Sequence, residues 1–232
     1  SYRIAPLLNS SGRLSSAEIG VKALLSDRKV NSYAIIKSLI DLNNQRKEIQ
    51  KNTLNEADFA LNSSKNSIIV FSEKWHKGIV GIIASNLVDK YNKPSIVLTQ
   101  EKNNLVGSVR TAKGINILEI LNKCSSFLTK YGGHKSAAGV SLSRKNLTKF
   151  KDLFEEEVGK ASKKLTNDKQ ITIDLVLSID EINDVLFRTV MRFAPFGLGN
   201  KAPVFCTKEI NNFKLSLVGN NDSHLKGCLL YT

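Results

Sequence analysis

The chain has 232 residues, 41% of them hydrophobic, with only 4 prolines and 14 glycines; that composition excludes a disordered chain and suffices for one large or two ordinary domains. Lys and Arg number 34 against 21 Asp and Glu, a net charge of +13, which favours a polyanionic partner. Cys124, Cys206 and Cys228 form no C-x-x-C pair, so neither a zinc knuckle nor a disulfide framework is indicated and a reduced cytoplasmic setting is expected. No stretch approaches the roughly 18 apolar residues of a membrane span, and no signal segment opens the chain. Ser1 and Thr232 read as cuts in a longer protein.

Taken in order, residues 1–14 read as an irregular segment carrying Pro6 and Gly12, after which Ser15 or Ser16 caps a short helix through Val21, Leu24 and Leu25. Residues 32–61 form a long helix with the stripe Ile35, Leu39, Leu42, Ile49, Ala57 and Ala60, interrupted by Arg46 and Thr53. Its length suits a connector between domains. An apolar strand over 67–71 is followed by a helix over 78–91. Strands over 95–99 and 105–110 flank a polar turn, a helix covers 115–128, and Tyr131-Gly132-Gly133-His134 reads as a loop. A last helix uses Leu147, Phe150, Phe154, Val158 and Ala161. Alternating strands and helices give a mixed α/β domain over about 66–162.

A lysine-rich stretch, 161–170, is a candidate linker. Beyond it the pattern changes to short strands over 171–177, 203–208, 213–218 and 224–231, with one helix near 179–191. That run suggests a small, incomplete barrel of the OB type over 170–232. The expected architecture is therefore a mixed-sheet α/β domain, preceded by a long connecting helix and followed by a partial OB-like β-barrel.

Chemistry concentrates at Gly107-Ser108-Val109-Arg110 and at Gly132-Gly133-His134. Glycines let a backbone approach a ligand, hydroxyl and amide groups donate to phosphate oxygens, and an arginine grips them bidentately. Alone, however, a G-G-H run marks a turn, and a single histidine is more often a structural hydrogen-bonding group.

Six separated segments, in order, resemble those of RecJ nucleases, members of the DHH phosphoesterase superfamily. Residues 4–13, IAPLLNSSGR, resemble A-P-R-x-N-A-A-G-R, and 42–49, LNNQRKEI, resemble L-N-x-x-R-K-x-I. Residues 75–85, WHKGIVGIIAS, resemble W-H-x-G-V-x-G-I-V-A-S; 107–111, GSVRT, resemble G-S-x-R-S; and 131–139 resemble F-G-G-H-x-x-A-A-G. Residues 195–205, PFGLGNKAPVF, resemble P-F-G-x-G-N-x-x-P-V-F. Leu7, Val109 and Asn86 stand where the family commonly has Arg, Gly and Arg.

The resemblance implies that residues 1–25 are the tail of a DHH domain, 26–65 a connecting helix, 66–162 the DHH-associated domain and 170–232 the barrel. It implies a 5' to 3' exonuclease of single-stranded DNA in repair and recombination. Mn2+ or Mg2+ would be bound by residues upstream of this chain and none by the chain itself. Ser108 and Arg110, joined by Arg13 and by Gly132 and Gly133, would hold a terminal 5'-phosphate. His134 would sit by the scissile phosphate as the catalytic residue, and Phe196 and Phe205 would stack on bases. Trp75 reads as a packing residue, and Arg46 as an interdomain contact because it falls on the apolar stripe. Implied partners are single-stranded DNA, a single-strand-binding protein and a helicase, with a monomeric state and no membrane. Two other readings fit parts of the pattern: a non-catalytic single-strand-binding or replication scaffold protein, and a DHH-family phosphodiesterase for short oligonucleotides. The strands after Ile171 argue against the last.

Overall fold

The computed structural model describes residues 3–26, 29–60, 65–111, 114–163, 171–197, 199–208, 213–219 and 224–229. They divide into two compact units, 1–166 and 167–232.

The first unit opens with three helices, α1 (Ile4–Leu14), α2 (Glu18–Leu25) and α3 (Lys29–Phe59). Residues 4–14 are thus helical rather than irregular. Pro6 lies in the first turn, where a helix has no partner for the missing N–H. Gly12 and Gly20 mark close approach: a Cβ on Gly12 would stand 3.3 Å from Ala17 Cβ, and one on Gly20 would stand 3.3 Å from the Leu8 carbonyl oxygen. Ser10 and Ser11 are buried, and their hydroxyls donate to the Leu7 and Leu8 carbonyls at 2.6 and 2.8 Å. The 31 residues of α3 span about 46 Å. Its buried stripe is Leu39, Asn43, Thr53 and Ala57, whereas Ala60, expected to be on the stripe, is exposed.

Behind α3 stands a five-stranded sheet of order β1-β2-β3-β5-β4. Its strands are β1 (Ile68–Phe71), β2 (Ser95–Glu101), β3 (Asn104–Arg110), β4 (Lys130–His134) and β5 (Ala137–Ser143). The β1–β2 pair is parallel and the rest are antiparallel. The crossover between β1 and β2 is α4 (Val80–Tyr91), which ends on Asn92 in the left-handed conformation (φ 51°) with its N–H on the Val88 carbonyl at 2.7 Å. Asn is one of the few residues besides Gly that accepts this conformation cheaply.

Two apolar layers sandwich the sheet. On one face Leu98, Leu105, Val109, Ala138, Val140 and Leu142 meet α5 (Ile117–Lys123) and α6 (Leu147–Lys163). Phe150 and Phe154 of α6 are fully buried, with ring centroids 5.7 Å apart; truncating either to Ala costs about 3–5 kcal/mol. On the other face Ile68, Val70 and Val97 meet Ile79, Val80, Ile83, Ala84 and Leu87 around α4, together with Ala57 of α3. Trp75 packs in this second layer, its indole N–H donating to Glu56 Oε2 at 2.8 Å and its carbonyl accepting the Thr99 hydroxyl at 2.6 Å.

The helix expected over 115–128 stops at Lys123 and continues as a 3-10 turn over Ser125–Phe127. The expected glycine loop at 131–134 is instead strand β4, and the small residues after it are β5. Strand β4 and the start of β5 are built largely of glycine and alanine, which carry little polar–apolar alternation; only Val140-Ser141-Leu142-Ser143 at the end of β5 shows the repeat.

In the second unit, β6 (Leu175–Leu177) pairs in parallel with β7 (Phe205–Thr207), and β8 (Phe213–Val218) pairs antiparallel with β9 (His224–Leu229). The helix expected near 179–191 is a 3-10 turn, Ile179–Glu181, followed by α7 (Asp184–Met191). Among the described residues the four strands form two separate pairs and close no barrel. Among the described residues no helix is long and apolar enough to cross a membrane.

Candidate phosphate-binding site

Register across β3, β5 and β4 places the candidate residues on one face. Ser108 is opposite Gly139, which is opposite Gly132; Arg110 is opposite Ala137, which is opposite His134. Residues paired in register, and those two apart on a strand, share a face. Ser108, Arg110, Gly132 and His134 therefore lie together on the side away from the Val109 and Val140 core. With strands ~4.8 Å apart, the Arg110 and His134 backbones are separated by on the order of 10 Å. Among the described residues no hydrogen bond joins His134 to Ser108 or Arg110.

Helix α4 covers β2 and β3 on this face and leaves β5 and β4 open. Gly81, in its first turn, makes that close cover possible: a Cβ there would lie 3.1 Å from Ser108 Oγ and 3.3 Å from Arg110 Nη2. One turn earlier, Gly78 receives α1. A Cβ on Gly78 would be 2.0 Å from the Arg13 carbonyl oxygen, and Arg13 Nη1 donates to the Gly78 carbonyl at 3.2 Å. Arg13 and Ser108 line one cleft of about 400 Å³, together with Gly12, Lys77, Gly78, Glu101 and others, and Arg110 Nη2 lies beside Ser108 at the Gly81 turn. At the rim Lys77 pairs with Glu101 at 2.6 Å. His76 stays exposed, its Nδ1 accepting the Gly78 N–H at 3.1 Å.

Electrostatically the cleft is unbalanced. Arg110 donates to the Val109 carbonyl at 2.8 Å. Burial first, and then the Arg13 charge, hold its guanidinium below the ordinary arginine value. Among the described residues neither Arg13 nor Arg110 has a carboxylate within salt-bridge distance. Arginine stays protonated in proteins, so a half-buried Arg110 and an exposed Arg13 place positive charge here with no carboxylate bound to either.

The glycines divide into two kinds. Gly133 has φ +153°, and a Cβ there would sit 2.3 Å from the Ala137 carbonyl oxygen, so the backbone itself demands glycine. Gly132 would meet nothing within 4 Å, and Gly139 only the Gly107 carbonyl oxygen at 3.9 Å. A glycine pair inside a sheet weakens it. Here no protein neighbour requires it, and the pair forms a bare floor beside Ser108.

Of the three departures from the family pattern, Val109 is fully buried in the core and its side chain faces away from the cleft. Leu7 is half-buried on α1. Asn86 accepts a hydrogen bond from Gln50 at 3.0 Å. Phe196 is half-buried and Phe205 is 37% exposed, both in the second unit. There Asn200 closes the 195–200 turn by donating to the Phe193 and Pro195 carbonyls at 2.8 and 3.1 Å. Sequence reasoning missed Gly78 and Gly81 as site-forming residues. Their signal was two glycines three apart at a helix entry.

Among the described residues no group of three or more His, Cys, Asp or Glu could hold a metal ion.

Residues 64–184 match the DHHA1 domain family and residues 173–230 the RecJ OB domain. The single-stranded-DNA-specific exonuclease RecJ of Bacillus subtilis is 29% identical over 97% of this chain and 29% of its own length. That of Haemophilus influenzae is 28% identical over 97% of the chain and 41% of its own length. The structure resembles the crystal structure of Thermus thermophilus RecJ in complex with Mn2+, with TM-score 0.84 and 25% identity over 98% of this chain and 34% of that one. The chain spans less than half the length of these relatives. It belongs to the RecJ family, of which it carries a DHHA1 domain followed by a RecJ OB domain.

Proposed function

We propose that this chain is the substrate-gripping part of a metal-dependent exonuclease that removes nucleotides from single-stranded DNA in the 5' to 3' direction. The observation that carries it is the carboxylate-free pairing of Arg13 and Arg110 beside Ser108. A terminal phosphate carries ~1.5–2 negative charges at neutral pH, more than an internal phosphodiester, and the two guanidiniums and the hydroxyl answer it as donors only. Over the Gly132–Gly139 floor the strand leaves the clamp toward His134, which in this reading lies by the scissile phosphate. Fixing the end at a set distance from the reacting bond makes the enzyme an exonuclease. Mn2+ or Mg2+, when bound by the rest of the enzyme, would supply an activated water and charge stabilisation for the in-line displacement. Its ligands in this reading belong to the part of the longer relatives that this chain does not match.

In the second unit Phe205 and Phe196 supply stacking surfaces for bases of single-stranded DNA. The surrounding process is DNA repair and recombination in the cytoplasm, with a monomeric enzyme served by a single-strand-binding protein and a helicase.

The test is the purified 232-residue chain mixed with labelled single-stranded DNA, with and without Mn2+. The expected outcome is weak binding, salt-sensitive with a slope near −3.5 if about five phosphates are engaged, and no degradation. Robust Mn2+-dependent digestion would overturn the division of labour. A flat salt response would remove the nucleic-acid reading.

A further inference from the structure

We propose that Glu101 sets the preference of the cleft for a chain end: by occupying Lys77 it silences the cation at the far end, so that a strand continuing on the 5' side of the clamp finds nothing there to hold its next phosphate. The proposal rests on the phosphate reading of the cleft given above.

Both residues line the same cleft as Arg13 and Ser108, and among the described residues of that lining Glu101 is the one carboxylate. Its place is fixed by the backbone. Glu101 ends β2 and stands opposite Asn104, the first residue of β3, across a tight turn in which Lys102 has φ 53° and its carbonyl accepts the Gln100 amide at 3.2 Å. On β3 the positions that share a face with Ser108 run Asn104, Val106, Ser108 and Arg110. Glu101 is therefore at the hairpin end of the cleft and the clamp at the other, and from Asn104 to Ser108 the strand covers on the order of 13 Å. Lys77 Nζ donates to Glu101 Oε1 at 2.6 Å. The next residue, Gly78, accepts Arg13 Nη1 at 3.2 Å, so one short segment touches both ends.

Charge is thereby segregated along the cleft. Arg13 and Arg110 have no carboxylate within salt-bridge distance among the described residues, whereas Lys77 is neutralised by Glu101. Folding does not call for that pair: its side chains are 66% and 44% exposed, and exposed pairs contribute little to stability. Nor does the family pattern, which leaves position 77 open in W-H-x-G and does not reach position 101. At about 400 Å³ the cleft has room beyond a single phosphate group, a water taking only about 30 Å³ in the liquid. Space alone would thus admit a second phosphate. A terminal phosphate needs only the arginine end, and its strand leaves toward His134. A chain without an end at the clamp must also run the other way, toward a lysine already bound to a carboxylate. Glu101 is a specificity residue acting through Lys77.

The experiment titrates the 232-residue chain with a linear 5'-phosphorylated oligonucleotide and with the same oligonucleotide closed into a circle, which carries the same number of phosphates but no end. Affinity is read by fluorescence anisotropy over a salt series. Wild type should favour the linear strand about tenfold. Glu101→Gln frees Lys77, and should tighten the circle about fivefold and steepen its log–log salt slope by about 0.7, one added phosphate contact on a single strand. The linear strand should change less than about twofold. Lys77→Gln should leave both ligands near wild type, and the double variant Lys77→Gln/Glu101→Gln should lose the gain on the circle. Melting temperatures should stay within a few degrees, since both side chains are exposed. An unchanged circle in Glu101→Gln, an equal gain on both ligands, or a gain that survives in the double variant would overturn the proposal. The clamp is judged separately: wild-type affinity of Arg110→Ala for the linear strand would overturn the phosphate reading itself.

Discussion

Gly81 stands over Ser108 so closely that a single added carbon would lie 3.1 Å from the serine hydroxyl oxygen. The helix entry and the strand end thus form one surface, and the absence of a side chain on the helix keeps the hydroxyl accessible.

Gly81→Ala should therefore separate folding from binding. The helix gains propensity, worth up to ~1 kcal/mol, against a tight contact with movable side-chain ends, so the melting temperature should stay within a few degrees. Affinity for a 5'-phosphorylated strand should fall about tenfold, and Gly81→Leu should abolish it. Thermal denaturation beside anisotropy titration reads both quantities.

Gly78→Ala belongs to a different regime, because the new carbon would fall 2.0 Å from the Arg13 carbonyl oxygen. Backbone must move, and α1 with it. A loss of about 2 kcal/mol or more, read as a lower urea midpoint, should accompany loss of phosphate binding.

Neighbouring glycines should behave in opposite ways. Gly133→Ala, at φ +153° and against the Ala137 carbonyl, should destabilise the chain by about 2 kcal/mol or more. Gly132→Ala, with nothing within 4 Å, should leave stability unchanged or slightly raised, yet weaken strand binding by narrowing the floor. Equal stability loss in both variants would show that neither position is a ligand surface.

Acid stability should trace in part to Glu157. This buried carboxylate accepts hydrogen bonds from Lys123 and from Lys160, the latter at 2.7 Å; these bonds hold it below the ordinary carboxylate value. A depressed folded-state value stabilises at pH above the unfolded carboxylate range, and that contribution is lost as pH falls through the folded value. Glu157→Gln should thus lower the unfolding midpoint at neutral pH and narrow its difference from wild type below about pH 4, as pH-dependent denaturation would read.

Much of the fold was legible because burial imposes periodicity. The alternation of Ile68 and Val70 with Ile69 and Phe71, and the stripe of α6, follow from a sheet covered on both faces. Strand β4 was hidden because its glycine pair reads as a turn and carries no alternation; β5 was partly hidden by Ala137, Ala138 and Gly139, although Val140-Ser141-Leu142-Ser143 does alternate. Helix α1 was hidden because Pro6 and Gly12 are breakers in most settings; here the first turn tolerates one and interhelical contact requires the other. In the site, Ser108 and Arg110 were readable as a local motif. Gly78 and Gly81 acquire their places only when α1, α4 and β3 converge, a relation of elements distant in sequence.

The most direct measurement compares two single-stranded oligonucleotides, identical except for a 5'-phosphate or a 5'-hydroxyl, binding to the 232-residue chain and to its Ser108→Ala and Arg110→Ala variants. The phosphorylated end should bind at least about tenfold tighter, a difference of about 1.4 kcal/mol. That preference should shrink in Ser108→Ala and vanish in Arg110→Ala. Equal affinity for the two ends, or a preference that survives in Arg110→Ala, would contradict a terminal-phosphate clamp at this site.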